Sequence, residues 1–153
     1  DCGSLIKEII ENSIKYSCKI TCPVDVVVSQ SLNGKGKVKE INEIKDDDII
    51  LDIGFETIAK IKNIIDNSNT VLWNGPAGYY ENSNFANGTK EIIRIITDKT
   101  FKDKIFSVAG GGETVAVINK FNKLDSFTFV STAGGAFLEF LEGKELPGIK
   151  ALN

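Results

Sequence analysis

The sequence predicts an α/β fold, an open parallel sheet with crossover helices in a Rossmann-like, three-layer arrangement. Three observations point to it. Apolar runs of strand length alternate with segments whose apolar residues recur at helical spacing. Glycine-rich turns stand where one kind of segment gives way to the other. From Ile49 onward no hairpin signal separates successive strands, which leaves crossover helices as the connections.

The elements follow in order. Residues 4–17 carry Leu5, Ile6, Ile9, Ile10 and Ile14 at amphipathic spacing, with Ser4 as the expected N-cap. Residues 19–29 read as a strand in which Pro23 marks a bend or an edge position. Ser31 to Asp48 is polar and broken by Asn33-Gly34 and Gly36, the pattern of a surface excursion or a hairpin. A strand over Ile49–Ile53 ends at Gly54, and Thr57 to Asp66 is helical through Ile58, Ile61, Ile64 and Ile65. Thr70–Trp73 is a short strand, Asn74–Gly78 a turn, and Asn84 to Thr97 a helix. Strand Ile105–Ala109 leads through Gly110–Gly112 into a helix over Glu113 to Phe121. Strand Phe127–Ser131 leads through Ala133–Gly135 into a short helix over Ala136 to Leu141, and Pro147-Gly148 ends the regular part.

Composition narrows the function. The 153 residues suit one domain with its own core. A net charge of -3 gives no basic footprint, so nucleic acid is not an expected partner. No run approaches the roughly 18 apolar residues of a membrane helix, and Asp1-Cys2-Gly3-Ser4 lacks the regions of a signal peptide. A cytoplasmic protein without membrane contact is expected. Cys2, Cys18 and Cys22 make no even disulfide set, and without histidine a closed zinc site would lack ligands. The chain has no methionine, so it is expected to be processed or a piece of something longer. Its single arginine, Arg94, lies inside a helical pattern, so the cations that phosphoryl chemistry needs are expected elsewhere.

In open parallel sheets ligands bind beyond the carboxyl ends of the strands. Asn74–Gly78, Gly110–Gly112 and Ala133–Gly135 all fall at such ends and should converge on one rim. Glycine lets backbone approach a ligand closely, and the helix that follows presents unpaired N–H groups suited to phosphate. The same glycines could serve only tight turns and helix–sheet packing. No Walker A loop occurs, and the dinucleotide fingerprint fails because Val115 stands where a third glycine belongs after Gly110 and Gly112. That failure makes a dinucleotide-dependent dehydrogenase remote.

The segment Val71 to Glu81, with Trp73-Asn74-Gly75-Pro76-Ala77-Gly78 at its centre, closely resembles the nucleotide-site segment of phosphoglycerate kinases. So do Phe85-Ala86-Asn87-Gly88-Thr89, Gly110 to Thr114, and Ser131 to Ala136. Lys19 to Asp25, Asp52-Ile53-Gly54 and the tail Leu141 to Leu152 also match, in family order and nearly end to end. The resemblance implies phosphoryl transfer between 1,3-bisphosphoglycerate and ADP, giving 3-phosphoglycerate and ATP in glycolysis, with Mg²⁺ on the nucleotide. It implies a chain that is the second part of the C-terminal nucleotide-binding domain. The N-terminal domain, which holds 3-phosphoglycerate or 1,3-bisphosphoglycerate, and the first half of the nucleotide domain are then absent. The isolated chain is expected to be inactive, and the full-length enzyme monomeric. A non-catalytic remnant, or a subunit complementing a separately made piece, shares every motif and stays open.

The resemblance further implies roles for individual residues. Glu81 would bond the ribose hydroxyls, and Asn74 and Pro76 would line the groove for ATP or ADP. Gly111, Gly112 and Thr114 would surround the phosphates. Gly112, Gly134 and Gly135 would form the catalytic set, the last two offering N–H groups to the migrating phosphoryl. Trp73 would be core. Two departures stand out. Glu113 replaces the family's aspartate at the Mg²⁺ position, moving the oxygens out by one methylene, and Ala133 replaces the first glycine of the last turn.

Overall fold

A computed structural model describes residues 2–102 and 104–152. In chain order its elements are α1 (Cys2–Lys15), β1 (Asp25–Ser29), β2 (Lys37–Glu40), β3 (Ile49–Ile53), α2 (Phe55–Asp66), β4 (Thr70–Trp73), α3 (Asn87–Phe101), β5 (Phe106–Ala109), α4 (Gly112–Lys120), β6 (Phe129–Val130), α5 (Gly135–Leu141) and α6 (Pro147–Lys150). Strands β4, β5 and β6 form the expected parallel sheet, with Trp73 level with Ala109 and Ala109 level with Val130. Helices α3 and α4 make the connections. The α/β class is therefore present.

The earlier strands are arranged differently. They form a separate sheet in the order β2-β1-β3 with both pairings antiparallel. A parallel pairing needs a crossover of a dozen or more residues, usually helical, and the polar stretch from Ser31 to Asp48 has no helical spacing. It turns back as a hairpin, one of the two forms expected for it, placing Val26 opposite Lys39 and Val28 opposite Lys37. Strand β1 begins at Asp25 rather than at residue 19, so Pro23 lies ahead of it. Other boundaries move as well, α3 among them, which runs from Asn87 to Phe101. Ser4 sits inside α1 instead of capping it, β6 shrinks to two residues, and Pro147 opens a last helical turn, where its fixed φ and missing N–H suit the first position.

One apolar cluster lies between the helices and the inner face of the parallel sheet. Trp73, Ala109, Val117, Ile118 and Phe127 meet Ile92, Ile93, Ile95 and Ile96 of α3, and Ile58 and Ile65 of α2. Trp73 is core as its sequence position implied, stacked on Phe127 with ring centroids 6.1 Å apart. The other face of that sheet is bare, with Leu72, Phe106 and Phe129 between 44% and 55% exposed. Helix α1 buries no residue, and Ile6, Ile10 and Ile14 stand in the open. Among the described residues no helix is long and apolar enough to cross a membrane, and Cys2, Cys18 and Cys22 are free and exposed.

Asp25 ties β1 to the start of α2. Its Oδ1 accepts the Thr57 N–H at 2.7 Å and the Thr57 hydroxyl at 2.6 Å, while Oδ2 accepts the Glu56 N–H at 3.0 Å. The carboxylate thus caps α2 from a neighbouring strand. Burial alone would push Asp25 upward, but the hydrogen bonds from Thr57 and Glu56 outweigh it and hold the carboxyl below its ordinary value. A depressed carboxylate contributes stability above the unfolded pKa and loses it as pH falls through the folded one. Asp25→Asn should cost about 1–2 kcal/mol at pH 7, the scale of a lost cap. Below roughly pH 4, near the unfolded aspartate value, the gap to wild type should close. Thermal melts between acid and neutral pH check this, and parallel profiles for the two proteins would contradict it.

Candidate functional site

The carboxyl ends of β4 and β5 bring two of the glycine loops into contact. The Gly110 N–H reaches the Trp73 carbonyl at 3.1 Å, and the Gly75 N–H reaches Thr114 Oγ1 at 2.6 Å. Gly111 has φ +93° and ψ 140°, a conformation that L side chains rarely adopt, at the N-cap of α4. A Cβ there would come within 2.7 Å of Asn74 Oδ1. Asn74 and Gly111 therefore face each other across the junction.

The third loop adjoins them through β6. The Ser131 N–H donates to the Ala109 carbonyl at 2.8 Å, and the Phe137 ring of α5 packs where a Cβ on Gly110 would lie. Its left-handed residue is Gly134, at φ +57°, whereas Ala133 does not have positive φ. Alanine is thus accommodated at the position where the resemblance put the turn in doubt.

The remaining site candidates differ in access. Asn74, Glu81, Gly112, Glu113 and Gly135 are exposed, while Pro76, Gly111 and Gly134 are half-buried. Thr114 is only 1% exposed and its hydroxyl accepts from Gly75. Its side chain reaches a ligand only through the loop it holds. Glu81 and Glu113 come from different segments but flank one side chain, Tyr80. Burial pushes the Tyr80 phenol up first, and the charges of Glu81 and Glu113 add to the rise.

Several contributors escaped the sequence reading. Lys120, at the end of α4, donates to the Tyr80 carbonyl at 3.1 Å and lies 5.4 Å from the Tyr80 ring centroid. It is a cation beside the loops, where the sequence places few. Thr89 is fully buried and accepts the Ala77 N–H at 3.0 Å. Asp52, 2% exposed, accepts the Gly88 N–H at 2.8 Å and its neighbour Ile53's at 2.9 Å. Burial raises the Asp52 carboxyl above its ordinary value despite the opposing N–H groups of Gly88, Ile53 and Asn87. Arg94 takes no part, since it pairs with Glu91 at 2.7 Å and Asp98 at 3.1 Å on its own helix.

The family description "Phosphoglycerate kinase" matches residues 1–144. The chain belongs to the phosphoglycerate kinase family. A phosphoglycerate kinase of Wolbachia pipientis subsp. Culex pipiens is 46% identical over 149 residues, covering 96% of this chain and 38% of the relative. One from Xanthobacter flavus is 42% identical over 155 residues, covering 100% and 39%. The solved phosphoglycerate kinase of Coxiella burnetii superposes with a TM-score of 0.89 at 38% identity, over 98% of this chain and 38% of that one. The Pyrococcus horikoshii OT3 phosphoglycerate kinase gives 0.74 at 30% identity, over 99% and 39%. This chain thus spans under two fifths of the length of these phosphoglycerate kinases.

The donor set suits a metal that shares its coordination with substrate phosphates and waters. Among the described residues no group of three or more histidine, cysteine or carboxylate side chains could hold an ion by itself. Mg²⁺ is commonly bound through one or two carboxylates together with substrate phosphates and waters. Glu113, exposed in the first turn of α4 beside the glycine loop, can supply such a carboxylate.

Proposed function

We propose that this chain is the nucleotide-holding part of a phosphoglycerate kinase, the second portion of its C-terminal domain. It serves phosphoryl transfer between 1,3-bisphosphoglycerate and ADP, giving 3-phosphoglycerate and ATP in the cytoplasm. The observation that supports this best is the junction of the Asn74 and Gly111 loops beyond adjacent parallel strands, flanked by Glu81 and Glu113. Glu81 takes the ribose hydroxyls, because a carboxylate offers two acceptor oxygens. Asn74 and Pro76 line the groove. Gly111 and Gly112 present backbone to the phosphates at the start of α4, where the dipole's positive end favours them. Thr114 contributes from behind by holding Gly75. Gly134 and Gly135 offer N–H groups to the migrating phosphoryl. Glu113 would hold the nucleotide's Mg²⁺, which neutralises phosphate charge when bound.

The sugar-acid site belongs to the N-terminal domain of such an enzyme. The 153-residue chain should therefore show only background in a coupled assay with 3-phosphoglycerate and MgATP. The alternative of a remnant or complementing subunit draws support from the bare apolar faces of α1 and the parallel sheet.

Calorimetric titration with ADP at several Mg²⁺ concentrations tests the reading. Wild type should bind in a metal-dependent way. Glu113→Gln should raise the Mg²⁺ requirement by about 10–100-fold, the scale on which disturbing a metal site changes affinity. Glu113→Asp should preserve or improve binding. The same metal dependence in all three proteins leaves Glu113 a helix-end acid, and absence of ADP binding removes the nucleotide role.

A further inference from the structure

The loop from Asn74 to Glu81 is fastened at every second peptide, each time to a different element. The Gly75 N–H goes to Thr114 Oγ1 of α4 at 2.6 Å, the Ala77 N–H to Thr89 Oγ1 of α3 at 3.0 Å, and the Tyr79 N–H to the Leu51 carbonyl of β3 at 2.7 Å. Pro76, between the first two, has no N–H to give. Among the described residues the middle fastening is the one that ties the loop to α3 through a side chain. It comes just before the Tyr80-Glu81 turn, where Lys120 holds the Tyr80 carbonyl.

Thr89 is 0% exposed, so it cannot touch a ligand. Its hydroxyl can nevertheless determine where the loop runs. A half-buried N–H left without an acceptor is costly, because water does not fully replace the lost partner. With Ala77 released, the segment between the Gly75 and Tyr79 anchors is free to bow away from α3, carrying Pro76 with it. Asp52 stiffens the same corner from below. It holds Gly88, the residue before Thr89, and leaves no room for a Cβ on Gly78, which would come within 2.5 Å of Asp52 Oδ1.

We propose that Thr89 is a positioning residue for nucleotide binding, its buried hydroxyl fixing the Ala77 peptide and thereby the placement of Pro76 in the groove. The inference rests on the nucleotide reading above and adds to it a residue that never meets the ligand.

The test compares Thr89→Val, which keeps the shape and removes the hydroxyl, with Thr89→Ser, which keeps the hydroxyl. Amide hydrogen exchange of residues 74–82 is followed alongside MgADP binding, in the wild-type and in the Pro76→Ala background. Thr89→Val should speed loop exchange and weaken MgADP by about tenfold, the scale of one lost hydrogen bond to a buried donor. Exchange in the middle of α3, around Ile92–Ile96, should stay as in wild type. Thr89→Ser should restore both readouts. In the Pro76→Ala background Thr89→Val should weaken MgADP little further, because its effect passes through Pro76.

Unchanged loop exchange, or a uniform rise across α3, overturns the positioning role. So does unaltered MgADP affinity in Thr89→Val, or full additivity with Pro76→Ala. A wild-type chain that binds no MgADP overturns the nucleotide reading itself and the inference with it, an outcome seen before any variant is made.

Discussion

Gly111→Ala is expected to weaken MgADP by roughly 5–150-fold, the equivalent of the 1–3 kcal/mol that a side chain costs in such a backbone conformation. Two effects act together. At φ +93° and ψ 140° the backbone of Gly111 lies where a Cβ is strained whatever the space around it. The added methyl would also sit 2.7 Å from Asn74 Oδ1, so the asparagine must swing out of the junction it shares with the loop. Shortening Asn74 would relieve the second effect and leave the first. Gly112→Ala provides the contrast, because a Cβ there meets nothing within 4 Å and alanine favours the helix it opens. If Gly112 packs against phosphate, its alanine variant should lose affinity without losing stability. Calorimetry and thermal melts on the two variants separate backbone strain from ligand contact. Wild-type affinity in Gly111→Ala would show that the loop conformation does not serve binding.

The second large effect concerns association. Along α1, Ile6, Ile10 and Ile14 are 56%, 50% and 76% exposed, and the outer sheet face adds Leu72, Phe106 and Phe129. Parallel sheets normally have both faces covered, and contiguous apolar surface of this kind marks an interaction face. The 153-residue chain should therefore self-associate in sedimentation experiments, increasingly with concentration. Burying one such side chain is worth about 1.5–3 kcal/mol. Replacing Ile6 and Ile10 with lysine should accordingly weaken association by at least about a hundredfold, since each 1.4 kcal/mol is tenfold. Ideal monomeric sedimentation of the wild-type chain at high concentration would refute this.

How much the sequence revealed depended on which interactions carried each element. The β4-loop-α3-β5-loop-α4 run was legible because its apolar spacing changes from strand to helix at each glycine cluster, a local signal. The meeting of Asn74 with Gly111 followed from the rule that parallel strands present their carboxyl ends together. The antiparallel sheet was not legible in the same way. Strand β2, Lys37-Val38-Lys39-Glu40, is a charged edge strand, which suits solvent and resists further pairing but gives no apolar pattern to read. Thr89 and Asp52 stood in recognised segments without any sign of their work. Their partners, Ala77 and Gly88, lie 12 and 36 residues away, and a hydrogen bond over that range leaves no spacing behind. Lys120 was hidden likewise, because its approach to Tyr80 spans 40 residues.

The crowding around Asp52 bears on the routes by which this sequence can change. A Cβ on Gly88 would fall 2.3 Å from Asp52 Oδ1, and one on Gly78 would fall 2.5 Å from the same oxygen and 2.7 Å from the Phe85 carbonyl. Neither glycine can be enlarged while the aspartate keeps its place. The order of substitutions therefore matters: a shorter residue at position 52 has to come first, and it first sacrifices the hydrogen bond to Gly88 at the head of α3. Every such path begins with a loss of stability. Drift at these three positions is blocked by their mutual dependence, even though none of them needs to touch a substrate.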